Sequence, residues 1–148
     1  MTEVLLFLHV LLFMFSFAFT GGLSIFLQRM ARSGDAGTIH AAFAAARPLT
    51  IAGGIGWVLT GLVGGALAQA YGYDPATPWL LCAYAVFIVL LLNGFLLHLP
   101  WQRRVLAASA SPGPELEAAL HAPVHRIASI ISALSVLVLL YLMTARPG

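Results

Sequence analysis

Apolar and polar positions alternate along this chain on a long scale, giving four extended apolar stretches separated by three polar connectors. The stretches cover residues 4–28, 49–70, 79–99 and 124–143 and are built of Leu, Val, Ile, Phe, Ala and Gly. Each is close to the roughly 20 residues that a helix needs to cross a bilayer at 1.5 Å per residue. The pattern predicts an all-α integral membrane four-helix bundle, a single domain over residues 1–148. The first stretch opens Met1-Thr2-Glu3 without a basic region and stays apolar to Leu27, which fits a retained spanning helix better than a cleaved signal.

The connectors differ in kind. The second, "YGYDPATP", is a tight turn with Asp74, Pro75 and Pro78. The third predicts a short surface helix over residues 113–121, with Ser111 as N-cap, Pro112 or Pro114 in the first turn, and Glu115 and Glu117 near its positive end. Trp79, Trp101, Tyr71, Tyr73 and Tyr141 lie at the edges of the apolar stretches, as interfacial belts require. The four stretches show no internal repeat.

Composition agrees with a membrane location. Of 148 residues 61% are hydrophobic and 8% charged, against about 25% charged in soluble domains. The lipid bilayer is therefore the first partner. A net charge of +2, with the basic residues confined to connecting segments, argues against nucleic acid. A single cysteine, Cys82, excludes an intrachain disulfide and a cysteine metal cluster. Arg29, Arg32, Arg47, Arg103, Arg104 and Arg126 flank the first and third connectors, so the positive-inside rule predicts those connectors in the cytoplasm and both termini outside.

Polar residues inside the spans indicate which faces look inward, because lipid satisfies none of their hydrogen bonds. His9, Ser16, Thr20 and Ser24 form one stripe at helical spacing, and His125, Ser129 and Ser132 form another. Two such faces suit packing against each other or around a ligand. Asn93 and His98 add polar groups to the third span, and the second contains "GGIGWVLTGLVGG", whose glycines permit close approach by a helix or a flat cofactor. The same hydroxyls and glycines are also the ordinary material of a helix interface.

Imidazole ligates haem iron, copper and zinc, and two histidines from different helices can clamp a haem. His9, His98 and His125 are the candidate haem ligands, with Ser16, Thr20 and Ser129 as the polar seam beside them. His98 and His125 share a depth and form the simplest bis-histidine pair. His121 joins His9, His98 and His125 as a metal candidate, spaced i, i+4 from His125 but separated from it by Pro123. The alternative for each is hydrogen bonding to water, headgroup or a neighbouring helix. No carboxylate lies within a span and no nucleotide-binding or hydrolase motif is present, so the sequence assigns no enzymatic activity.

The motifs "FLHVL", "TGL", "LPWQRRV" and "LYLMTARP" resemble an uncharacterised family of bacterial four-helix integral membrane proteins over essentially the whole chain. That resemblance implies the bacterial inner membrane. The "LH" of the first span followed by "GGL" is similar to the HemJ-like protoporphyrinogen oxidases and to copper-resistance D-like membrane domains, where the matching histidine is implicated in b-haem or copper handling. It implies haem b at His9. A b-type haem protein of electron transfer or porphyrin chemistry is thus the specific expectation. A non-enzymatic subunit of a membrane complex or a homo-oligomer, and a copper or small-solute permease, are the alternatives.

Overall fold

The computed structural model describes residues 1–111 and 113–146. Pro112, named above as a first-turn residue, lies outside them. The described residues form five helical elements and no strand: α1 (Thr2–Ala31), α2 (Ala36–Ala70), α3 (Pro78–Ala108), α4 (Pro114–Leu120) and α5 (Pro123–Ala145). Among the described residues four helices are long and apolar enough to cross a membrane, the fourth counted over Pro114–Ala145 and so including α4 and α5.

The helices outrun the apolar stretches. α2 begins at Ala36 rather than near residue 49, because charge marks the edge of hydrocarbon, not the end of a helix, and "AGTIHAAFAAAR" is rich in the best helix former. Asp35 caps it, its carboxylate accepting from the Thr38 amide at 2.8 Å and from the Thr38 hydroxyl. Those hydrogen bonds, the hydroxyl's first, hold the Asp35 carboxyl below the usual carboxylate range. Gly34, at φ +73°, makes the preceding turn. α3 likewise runs to Ala108, through Pro100. Pro100 has no N–H for the Leu96 carbonyl and its ring would crowd it, and the turn Gly94–His98 is wound as π-helix, with the Leu99 amide bonded to the Gly94 carbonyl. α1 contains a second π-turn at Ala18–Gly22.

The surface helix is present, one residue shorter at each end than expected. Its N-cap is Gly113, not Ser111, and no side chain caps it; Pro114 opens the first turn with Glu115 and Glu117 beside it.

The spans pack as two antiparallel hairpins, α1 against α2 and α3 against α5. Of the two arrangements that the hydroxyl stripes of the first and fourth spans suit, packing against each other is not formed. Three of those hydroxyls bond within their own helices, Ser16 donating to the Leu12 carbonyl at 2.6 Å, Thr20 to Ser16 at 2.7 Å and Ser129 to His125 at 3.0 Å, while Ser132 accepts from Asn93 of α3. Such i−4 bonds satisfy a hydroxyl without a partner helix. α1 instead seats itself on small residues of α2, where Ser16 faces Gly56 and Thr20 faces Gly53. Trp57 of α2 donates to the Thr20 hydroxyl at 3.0 Å.

Two apolar clusters hold the hairpins together. One, in the body of the bundle, joins Trp57, Trp79, Leu80, Leu90 and Leu139. The other gathers Leu27, Ile39, Phe43, Trp101, Val105 and Leu116 at the end bearing most of the arginines. Outward positions such as Phe7, Leu62, Leu96 and Leu137 are exposed, while Ser16, Thr60, Asn93 and Ser135 are buried. Apolar side chains outside and polar ones within match a lipid-facing surface.

Candidate functional site

The histidines fall into two separate places. His9 lies in the groove between α1 and α2. Its Nδ1 donates to the Thr60 carbonyl at 3.0 Å; a carbonyl only accepts, so Nδ1 carries the proton and Nε2 keeps its lone pair. The ring rests on Gly64, where an added Cβ would lie 2.7 Å from His9 Cε1. A Cβ added at the next residue, Gly65, would meet nothing within 4 Å. Imidazoles that ligate a metal are oriented in this way, with the second nitrogen donating to a carbonyl.

His98 and His125 meet at the other end, on facing helices. Phe87 lies against Gly61, and His98 is eleven residues further along α3, about 16 Å at 1.5 Å per residue. His9, beyond Gly61 in the opposite direction, cannot share a ligand atom with them. The rings of His98 and His125 have centroids 6.2 Å apart at 73°.

Polar groups anchor this pair from both hairpin helices. Asn93 Nδ2 donates to the Ala128 carbonyl at 2.9 Å and to the Ser132 hydroxyl at 2.8 Å. The Ala128 bond fixes the amide orientation, since a carbonyl needs a donor, and it leaves Asn93 Oδ1 buried without a partner. The Ser132 hydroxyl lies 3.3 Å from His98 Nε2. On the far side, the His125 ring lies flat on the Trp101 indole, centroids 3.9 Å apart and planes at 16°. Trp101 is itself pinned, donating to the Ala119 carbonyl at 3.0 Å and packed edge-on to Phe43. His125 Nδ1 is buried and has no hydrogen-bond partner.

A cleft of about 860 Å³ reaches this cluster from the arginine-bearing end. Trp101, Ile39 and Leu116 line it with His125, and Arg32, Asp35, Glu117 and His121 supply its charged and polar groups. His121 is exposed, outside α5, and donates through Nδ1 to the Glu117 carbonyl of its own turn at 2.9 Å. The break at Ala122 thus separates it from the i, i+4 pairing with His125 that the spacing suggests. His40 donates to Ser109, 3.1 Å away, because the Ser109 hydroxyl is spent on the Leu106 carbonyl; the bond ties the start of α2 to the end of α3.

Of the expected site residues, the structure brings together His98 and His125 and leaves His9 apart with Thr20 and Ser16 along its helix. Ser129 contacts only its own helix through its hydroxyl. Two positioning residues were not singled out from sequence, Trp101 and Thr60. Trp101 was legible as a ring one turn from His98, at i+3; Thr60 acts through its backbone carbonyl and leaves no signal. Among the described residues no group of three or more His, Cys, Asp or Glu side chains converges.

No curated protein and no solved structure matches the chain. A family of predicted integral membrane proteins matches it over residues 3–147. With four membrane-length helices and polar groups turned inward, the chain belongs to that family, DUF2269.

Proposed function

We propose that this integral membrane protein binds b-type haem through His9. The observation that carries the reading is the bond from His9 Nδ1 to the Thr60 carbonyl, which orients the ring and leaves Nε2 as a lone-pair donor. Gly64 supports the ring's position, since the absence of a side chain there lets the imidazole sit directly against α2. When bound, haem supplies one-electron chemistry. The protein's part is to present one neutral imidazole in a low-dielectric groove, held by a backbone acceptor that no side-chain motion can withdraw. His98 and His125 stay outside this site, by distance.

The arginine distribution supports an inner-membrane orientation with the His98–His125 end in the cytoplasm and both termini outside. A reporter at the C-terminus is then inactive in the cytoplasm and active outside; a cytoplasmic signal overturns the orientation.

The visible spectrum of protein purified in detergent from haem-replete cells tests the haem reading. A Soret band with reduced α and β peaks that is lost in His9→Ala and kept in His98→Ala supports it, and a colourless native preparation refutes it.

A second reading rests on α1, of whose most apolar window only 6% is buried, against 22–33% in the other spans. That face suits packing against a partner helix of a larger membrane assembly, or a second copy. Polypeptides co-purifying with the native chain, or a dimer mass in detergent, support it; a monodisperse monomer speaks against it.

A further inference from the structure

We propose that His98 and His125 form a binding site for a first-row transition cation, copper(II), entered from the cleft at the arginine-bearing end and independent of His9. Two imidazoles sharing one ion, each nitrogen about 2.0 Å from it, place their ring centres about 5 Å apart at a tetrahedral angle and about 6.4 Å apart when trans. The observed separation of 6.2 Å is close to the trans value, which suits the tetragonal geometry of copper(II) rather than tetrahedral zinc.

Three features make the pair more than a chance encounter. First, His125 Nδ1 is buried yet has no hydrogen-bond partner. A buried polar atom without one costs about 1–3 kcal/mol, and coordination would supply the partner that the protein does not. Second, both rings are braced. Trp101 covers one face of His125. The Ser132 hydroxyl, which accepts from Asn93 Nδ2, lies 3.3 Å from His98 Nε2; in the tautomer with the proton on Nε2, His98 donates to Ser132 and keeps Nδ1 as the lone-pair nitrogen. A ligand imidazole donating its other N–H to a fixed acceptor is the usual arrangement around a protein-bound metal. Third, there is a route. The cleft contains His125, and Asp35 and Glu117 outnumber Arg32 among its charged groups, which favours an entering cation. Water from the cleft would complete the coordination, and the remaining open positions suit exchange more than permanent structural binding.

The stacking of His125 on Trp101 separates this proposal from haem binding at the same place. With one face of His125 covered by the indole at 3.9 Å and His98 Nε2 engaged by Ser132, the pair offers room for an ion and no slot for a macrocycle.

The test uses the full chain in detergent, stripped with chelator and titrated with copper(II). One equivalent is expected to bind, with an electron paramagnetic resonance spectrum split by two nitrogens. His98→Gln and His125→Gln should each weaken binding by at least about 100-fold, and Ser132→Ala by about 10-fold as loss of an orienting partner. His9→Ala, in the separate groove between α1 and α2, should bind like the native chain. Each variant is first shown to run as the native species on size exclusion, so that loss of binding is not loss of fold. Native protein that binds no copper, or a His98→Gln, His125→Gln double variant that binds it unchanged, overturns the proposal. Copper bound by a chain that never carries haem would leave it standing while the His9 reading fails.

Discussion

His125 lies flat on Trp101, ring centroids 3.9 Å apart and planes within 16° of parallel, so a residue of the last span is held by one from the span before it. Trp101 is also 4% exposed and donates to Ala119, which joins α3 to the surface helix α4. Its removal should therefore be felt well beyond its own contacts. Trp101→Ala is expected to cost about 3–5 kcal/mol, with Trp101→Phe retaining part of the stacking but losing the Ala119 bond. Thermal unfolding in detergent should rank them native, Phe, Ala. Equal midpoints for the two variants would remove the importance given to the indole N–H.

Asn93 holds α3 and α5 together through two donated bonds. Cross-helix polar contacts in membranes average about 0.6 kcal/mol and reach about 1.7, so Asn93→Leu should destabilise modestly. Asn93→Asp should be worse, because a carboxylate cannot donate to the Ala128 carbonyl and would bury a charge against it. A variant series in which Asp is tolerated better than Leu would contradict the assigned amide orientation.

Glycines on α2 should divide sharply on substitution. Gly56→Ala places a Cβ 2.5 Å from the Ser16 hydroxyl, inside a contact where Ser16 is 0% exposed, and overpacking of this kind costs about 1–3 kcal/mol. Gly54→Ala meets nothing within 4 Å and should be neutral or stabilising, by up to about 1 kcal/mol from helix propensity. Opposite shifts in unfolding temperature are the expected result.

Gly64 links stability to the proposed haem site. An alanine there presses on His9 Cε1 at 2.7 Å and must displace the ring from the Thr60 carbonyl. Gly64→Ala should therefore lower haem content as His9→Ala does, while the protein remains membrane-inserted. Full haem content in Gly64→Ala would disconnect the ring's position from binding.

Asp35 gives a pH dependence with a defined sign. Its folded pKa is held below the unfolded value by Thr38, so its contribution to the start of α2 is complete above the unfolded pKa and is lost as pH falls through the folded one. Amide exchange at Thr38 should accelerate in that acidic window. Asp35→Asn can still cap and should lose the pH dependence; Asp35→Ala should exchange fast at every pH.

What the sequence disclosed depended on which groups carry the structure. Four spans follow from apolar length alone, and the His98–His125 pairing from shared depth, because both properties belong to side chains. The extension of α2 back to Ala36 was hidden because Arg47 and Pro48 read as interruptions, although Pro48 sits exposed within a continuous helix. The pairing of α1 with α2 rather than with α5 was hidden because hydroxyl stripes look the same whether they bond across an interface, as Ser132 does, or to carbonyls one turn back, as Ser16 and Ser129 do. His9 was visible as an oddity in "LFLHVLL", but its partner is a backbone carbonyl, which every residue possesses.

The π-turn at Gly94–His98 has a consequence for aim. One residue more than an α-turn needs is wound into α3 just before Pro100, and each added residue turns everything on one side of it by about 100° relative to the other. Asn93 immediately precedes that turn and His98 closes it, and both reach α5. In an unbroken α-helix, residues five apart would point about 140° apart, and only one of the two could address the same neighbour. The extra residue acts as a phase shifter: a proline two positions on, by refusing an α-helical bond, lets a single helix bring an amide and an imidazole to bear on one strip of its partner.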